Sequence, residues 1–246
     1  EKISWRRLFR LEDEVYDFRT SDKDIYVYSP KGAPHFRILI MPLKNPDISK
    51  AEVLIPENPN GKITSYGITS DGFYYSIAEN GVSVRTFFLP SGEKTAKELS
   101  LPFAAGSVTI TTKGYKFGDI WVNLAGWTSL NQRFRYMPAK DEFIRETLSA
   151  LAEYPEYDDL KVEELMITSH DGVMVPLSLI YKNNLLKDGT NSVLMNGYGA
   201  YGAPMNPSFN TNLLLWTLNG GIVVVAHVRG GGELGEQWYR AGFKTT

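Results

Sequence analysis

Short segments with alternating apolar and polar positions recur along the first 150 residues. "DIYVY" at 24, "GFYYSI" at 72 and "DIWVNL" at 119 are rich in β-branched and aromatic residues, and turn residues such as Ser70, Asp71 and Gly72 punctuate them. Each is followed by a second run that ends in proline: "RILIMP" at 37–42, "RTFFLP" at 85–90 and "RFRYMP" at 133–138. Arg37, Arg85 and Arg133 stand 48 residues apart, and Pro42, Pro90 and Pro138 keep the same step. Three units of about 48 residues therefore occupy roughly 13 to 155. A period in the forties made of short strands predicts propeller blades, each a four-stranded sheet that stacks on its neighbours to bury both faces. The alternative is three unrelated hairpins in a β-sandwich. Three blades do not close a ring, which needs at least four, so the pattern predicts further blades upstream.

Between 142 and 164 the texture changes. From Glu153 to Glu164 the chain carries six carboxylates against one lysine, Lys161. This reads as a charged connector and places a domain boundary there, with blades in 1–152 and a second domain in 153–246. Asp158, Asp159, Glu163 and Glu164 invite a reading as metal ligands or an acid–base pair, but neighbouring carboxylates without a histidine usually face water. From 165, "ELMITSHDGVMVPLSLIYK" gives two alternating segments joined at Asp171-Gly172, a tight hairpin. "SVLM", a glycine loop, a helix near 208–219 stopped by Gly220 and Gly221, and the apolar strand "GIVVVAHV" follow. That succession predicts a parallel α/β sheet with covered faces.

Composition narrows the function. The 26 basic and 28 acidic residues give a net charge of −2, which offers no footprint for nucleic acid or an anionic membrane. The sequence holds no apolar stretch of about 18 residues, so no membrane span is expected. Zero cysteines exclude disulfides, thiolate metal sites and cysteine nucleophiles, and leave cytoplasmic and periplasmic locations equally open. "EKISWRRLFR" has neither an initiating methionine nor a signal-peptide core, and reads as an internal start.

The loop "NGYGAYG" matches G-x-G-x-x-G at Gly197, Gly199 and Gly202. A dinucleotide site needs a helix opening at the last glycine and an acid about 20 residues on. Here Pro204 and Pro207 follow, residues 203–232 contain no Asp or Glu, and Tyr198 and Tyr201 crowd the loop. The remaining reading is a loop at the carboxyl end of a strand, where open α/β sheets place their active sites and where a phenolic hydroxyl can serve an oxyanion. Two tyrosines packing a turn would be the structural alternative.

"NGYGAYG" at 196–202, "GGIVVVAHVRGGGELGEQWYRAG" at 220–242 and "SHDGVMVPLSLIYK" at 169–182 together resemble the prolyl oligopeptidase family of serine peptidases. The resemblance covers essentially the whole chain, and "HVRGGGELG" is especially similar to the oligopeptidase B branch. It implies the last three blades of a seven-bladed propeller followed by the start of an α/β-hydrolase domain, both incomplete without the remainder of the same polypeptide. It implies an oligopeptide substrate, no cofactor and no metal. Tyr198 matches the tyrosine whose hydroxyl helps bind the oxyanion, Tyr201 an aromatic position lining the substrate pocket, and "RGGGELG" an architectural turn that Arg229 and Glu233 would hold as an ion pair. The nucleophile elbow G-x-S-x-G occurs nowhere in the 246 residues, so none of the triad is expected here. His35, His170 beside Asp171, and His227 read as structural, and no pair has metal-ligand spacing. Cleavage after proline is the expectation, with cleavage after arginine or lysine the alternative; a non-catalytic propeller scaffold and an esterase or acylaminoacyl peptidase on the same fold are the rivals.

Overall fold

The computed structural model describes residues 5–147, 149 and 153–243. Three antiparallel four-stranded sheets come first: β1 to β4 (Asp17–Thr20, Asp24–Ser29, Arg37–Pro42, Glu52–Ile55), β5 to β8 (Gly61–Ile68, Gly72–Glu79, Ser83–Pro90, Lys97–Leu99) and β9 to β12 (Ser107–Thr112, Ile120–Ala125, Gln132–Met137, Glu142–Arg145). In each, consecutive strands are neighbours, so every sheet is a simple meander. The repeat motifs fall on corresponding strands, the second and third of each sheet. These are propeller blades.

The buried pair that opens each central hairpin is Ile25 with Met41, Phe73 with Leu89, and Ile120 with Tyr136. The first step is 48 on both strands (25 to 73, 41 to 89); the second is 47 (73 to 120, 89 to 136). The arginine and proline anchors thus keep their 48-residue step in sequence while the third blade's pairing slips by one. Alternation is what the strands share. In β2 and β10 every second residue is buried; those of β10 pack against the second blade, and the apolar ones of β2 pack with Leu39, Met41, Leu8 and Phe9. Ile38 and Ile55 of the first blade pack with Ile63, Phe73 and Leu89 of the second. Tyr74 and Val84 on the second blade's other face pack with Val108, Ile120 and Phe134 of the third.

The second unit is a sheet of order β13-β14-β16-β15, with β13 Leu160–Thr168, β14 Met174–Lys182, β15 Val193–Gly197 and β16 Ile222–Ala226. The predicted boundary at 152/153 abuts residues 150–152, which lie outside the described residues. The hairpin expected at Asp171-Gly172 pairs β13 with β14 antiparallel, and the strand–helix–strand unit makes β15 parallel to β16; the hairpin joins that unit through an antiparallel pairing of β14 with β16. The turn after Thr168 forces the first reversal, because Gly172 takes φ 84° and Ser169 and Val173 pair across a three-residue loop. Only β15 and β16 are joined by a helix, the unit that parallel pairing requires.

That helix, α1, spans Thr211–Leu218 and starts three residues later than predicted because Asn210 caps it, its side chain accepting from the amides of Asn212 and Leu213. Gly220 at φ 78° ends it. Leu214 of α1 packs on Ile180 and Val223 over one face of the sheet. Among the described residues β16 is buried at all five positions, as a strand covered on both faces is, and β15 is exposed at all five. A short helix, α2 (Glu236–Arg240), follows the glycine turn. No helix among the described residues is long and apolar enough to cross a membrane.

Candidate active site

β15 and β16 run parallel and side by side, so their carboxyl ends open on the same edge, and both glycine segments leave from there. The first, 198–204, is a tight turn. Tyr201 and Gly202 both lie in the left-handed region, at φ 57° and 66°, and the Ala203 amide donates to the Ala200 carbonyl at 3.1 Å. This two-residue geometry normally selects glycine or asparagine. A tyrosine held there costs energy and is exposed at 87%, so the turn displays its ring rather than packing it. Tyr198 is 55% exposed. Among the described residues neither phenol has a hydrogen-bond partner and the two rings do not touch.

The second segment, Gly230 to Gly232, lies directly against the first. A Cβ on Gly230 would sit 2.0 Å from the Gly199 carbonyl oxygen, and one on Gly232 would sit 2.2 Å from that of Gly202. Gly199 in turn admits no Cβ, which would meet Val228 and the Arg229 carbonyl at 2.6 and 2.7 Å. The Gly202 amide donates to the Gly230 carbonyl at 2.9 Å. Of the G-x-G-x-x-G match, Gly199 serves close packing on the second segment, and Gly202 serves the turn's left-handed backbone, with the Tyr239 ring 3.4 Å from where its Cβ would stand. The helix that a phosphate cradle would need begins nine residues after Gly202, which agrees with the rejection of the dinucleotide reading.

Arg229 and Glu233 do not pair with each other, contrary to expectation. Arg229 reaches the hairpin turn and pairs with Asp171, holding that carboxyl below its ordinary range. Glu233, 4% exposed, turns inward, accepts from the Met205 amide at 2.8 Å and stands 3.5 Å from His227 Nδ1. The bend at Gly230, φ 92°, sends the two side chains to opposite sides of the segment.

A buried polar chain runs behind this edge. Ser178 on β14 donates to Glu164 at 2.7 Å and lies 2.9 Å from His227 Nε2. Ser178, His227 and Glu233 imitate a triad in spacing and not in polarity. With Glu164 ionised, the single serine proton goes to that carboxylate, so Ser178 is left to accept from His227 Nε2–H. A nucleophilic serine needs the reverse order. Ser178 and His227 are also wholly buried. The described residues hold no metal-binding cluster. His170 lies beside the Ser169 hydroxyl on the hairpin turn that Arg229 reaches, and His35 lies beside Glu57.

Glu163 and Glu164 are not free in water. Glu163 accepts from the Tyr181 hydroxyl and from Lys187. Glu164 is exposed as a residue, yet its carboxylate meets buried groups. Desolvation raises its pKa, opposed by the Ser178 hydroxyl, His227 and the Trp127 indole. A carboxyl raised on folding contributes stability that is fully present below its unfolded value and is lost as pH rises through the folded one. Glu164→Gln is therefore expected to match the parent's melting temperature in acid and to exceed it above that window by about 1–2 °C, a small figure because the group is partly solvated. A difference that stays constant with pH would exclude the shift.

Comparisons with known proteins place this edge in context. The model of the prolyl oligopeptidase N-terminal β-propeller domain matches residues 1–146. The chain belongs to the prolyl oligopeptidase family. The model described as the prolyl oligopeptidase family itself matches residues 207–246, the stretch holding β16 and the second glycine segment. Prolyl endopeptidase of Elizabethkingia meningoseptica is 27% identical over 245 residues, covering 92% of this chain and 31% of the relative. Protease 2 of Moraxella lacunata is 25% identical, covering 95% and 33%. The chain thus spans about a third of the curated relatives it matches. Among solved structures, a prolyl endopeptidase from a study of inter-domain dynamics aligns with a TM-score of 0.83 at 22% identity, covering 92% of this chain and 33% of that one. Oligopeptidase B from Leishmania major aligns at 0.75 and 23%, covering 92% and 33%. The family fold, propeller blades followed by the opening of the peptidase domain, is the fold described above.

Sequence reasoning missed Lys62, Trp127 and Ser178, and it assigned Glu164 to water. A signal existed for the last of these: successive residues of a strand face opposite ways, so Glu163 and Glu164 could not both face water from a covered sheet.

Proposed function

We propose that this chain is the propeller-to-hydrolase part of a serine oligopeptidase that hydrolyses short peptides, cleaving after proline. The observation that carries the reading is the Tyr198 loop, displayed at the shared carboxyl edge of β15 and β16 in a member of this family. In this reading a serine from the remainder of the polypeptide attacks the peptide carbonyl, a histidine takes its proton and later gives it to the leaving amine, and an aspartate orients the histidine. Tyr198 and a backbone N–H stabilise the oxyanion, Tyr201 lines the substrate pocket, and the propeller admits oligopeptides while excluding folded proteins. Arg229 and Glu233 support the site separately, the first through the hairpin turn and the second through the Met205 amide.

A second reading, cleavage after arginine or lysine, is favoured by the "HVRGGGELG" spelling. The test is made on the full-length gene product. Labelling by a fluorophosphonate and hydrolysis of a chromogenic peptide with proline before the scissile bond are expected. Hydrolysis only after arginine or lysine would replace the first specificity by the second. Absence of both labelling and hydrolysis would leave a binding module.

A further inference from the structure

Among the described residues β15 pairs with β16. The second glycine segment holds the Tyr198 loop. Gly202 bonds to Gly230 and packs on Gly232, and the Met205 amide bonds to Glu233. That segment is itself backed by the propeller. Lys62, on the first strand of the middle blade, donates from Nζ to the Gly232 carbonyl at 3.0 Å, and a Cβ on Gly232 would lie 3.3 Å from the same nitrogen. Gly232 is thus sandwiched between Lys62 and the Gly202 carbonyl. The side chain of Glu233 lies against Gly81, in the turn between β6 and β7, where even an alanine Cβ would come within 2.8 Å.

Lys62 is held for this contact. Its ammonium stands 5.0 Å over the Phe36 ring. Burial lowers its pKa, while Glu233 and Glu236 act to keep it charged. A half-buried lysine that serves one backbone carbonyl, 170 residues away in the chain, is an expensive way to glue two surfaces.

We propose that Lys62 of the propeller is a positioning residue for the Tyr198–Gly202 loop, acting through Gly232, so that the loop takes its working shape only with the propeller docked. The inference rests on the oxyanion role of Tyr198. It makes one blade a part of the catalytic geometry as well as a wall around it. Lys62 touches no reacting atom; its effect must pass through the tyrosine.

The experiment is a double-variant cycle on the full-length enzyme with a short chromogenic peptide. Lys62→Met, which keeps length and loses the donor, is expected to lower kcat about tenfold with KM changed less than about twofold, the signature of a misplaced group rather than lost binding. Lys62→Arg restores the donor and is expected to recover most of the loss. In Lys62→Met/Tyr198→Phe the two losses are expected not to multiply, because the hydroxyl that Lys62 positions is already gone. Multiplying losses, or parental kcat in Lys62→Met, would overturn the proposal while leaving the Tyr198 assignment intact. Parental kcat in Tyr198→Phe would overturn both. Should Lys62→Met fail to fold, judged by its melting transition, Lys62→Gln enters the same cycle with the same expected and overturning results.

Discussion

Tyr198→Phe in the full-length enzyme is expected to lower kcat by about 10²–10³-fold, or about 3 kcal/mol of transition-state stabilisation, with KM for a short peptide nearly unchanged. The hydroxyl is the only group removed. It is exposed and bonds to nothing among the described residues, so folding stability should hold. A donor aimed at charge that appears only in the tetrahedral intermediate contributes nothing to ground-state binding, and this is why the loss should fall on kcat. Steady-state kinetics decide it, and a parental kcat would remove Tyr198 from the mechanism.

Gly230→Ala is expected to destabilise the fold by roughly 2–4 kcal/mol and to abolish most activity. Two costs combine. Gly230 holds φ 92°, a conformation that L side chains resist, and its Cβ would stand 2.0 Å from the Gly199 carbonyl oxygen. The backbone cannot retreat cheaply, because the obstacle is another backbone segment and the one that carries Tyr198. Gly220→Ala is the control. Its φ is 78° but its Cβ would meet nothing within 4 Å, so only the conformational cost of about 1 kcal/mol applies. Denaturant unfolding of the three proteins separates strain from collision. Equal losses in both variants would show that the contact between the two glycine segments carries no weight.

The propeller was legible because its information is periodic. Six anchors, an arginine and a proline on or just after the third strand of each blade, mark corresponding elements, and a slip of one residue in the third blade leaves alternation intact. The sheet of the second unit was less legible. An apolar run such as "GIVVVAHV" reports burial on both faces and says nothing of strand direction, which the hairpin at Asp171-Gly172 and the helix crossover decide. The Arg229–Glu233 pair failed for a related reason. Sequence shows that opposite charges are four apart, whereas the intervening left-handed glycine determines where they point. Lys62 left no trace at all, since its partner is a main-chain carbonyl 170 residues away and any residue there would have read the same.

The two ends of the described chain are tied across the seam between the units. The Tyr16 hydroxyl donates to Glu236 at 2.5 Å, the Glu236 amide to the Pro34 carbonyl at 2.8 Å, and Arg240 pairs with Glu14. On a ribosome adding about 5–20 residues per second, Tyr16 emerges roughly ten to forty seconds before its partner exists. During that interval the face of the first blade that Glu236 and Arg240 later cover is bare. A chaperone that meets this protein during synthesis would find its target there, in a surface that the finished molecule no longer shows.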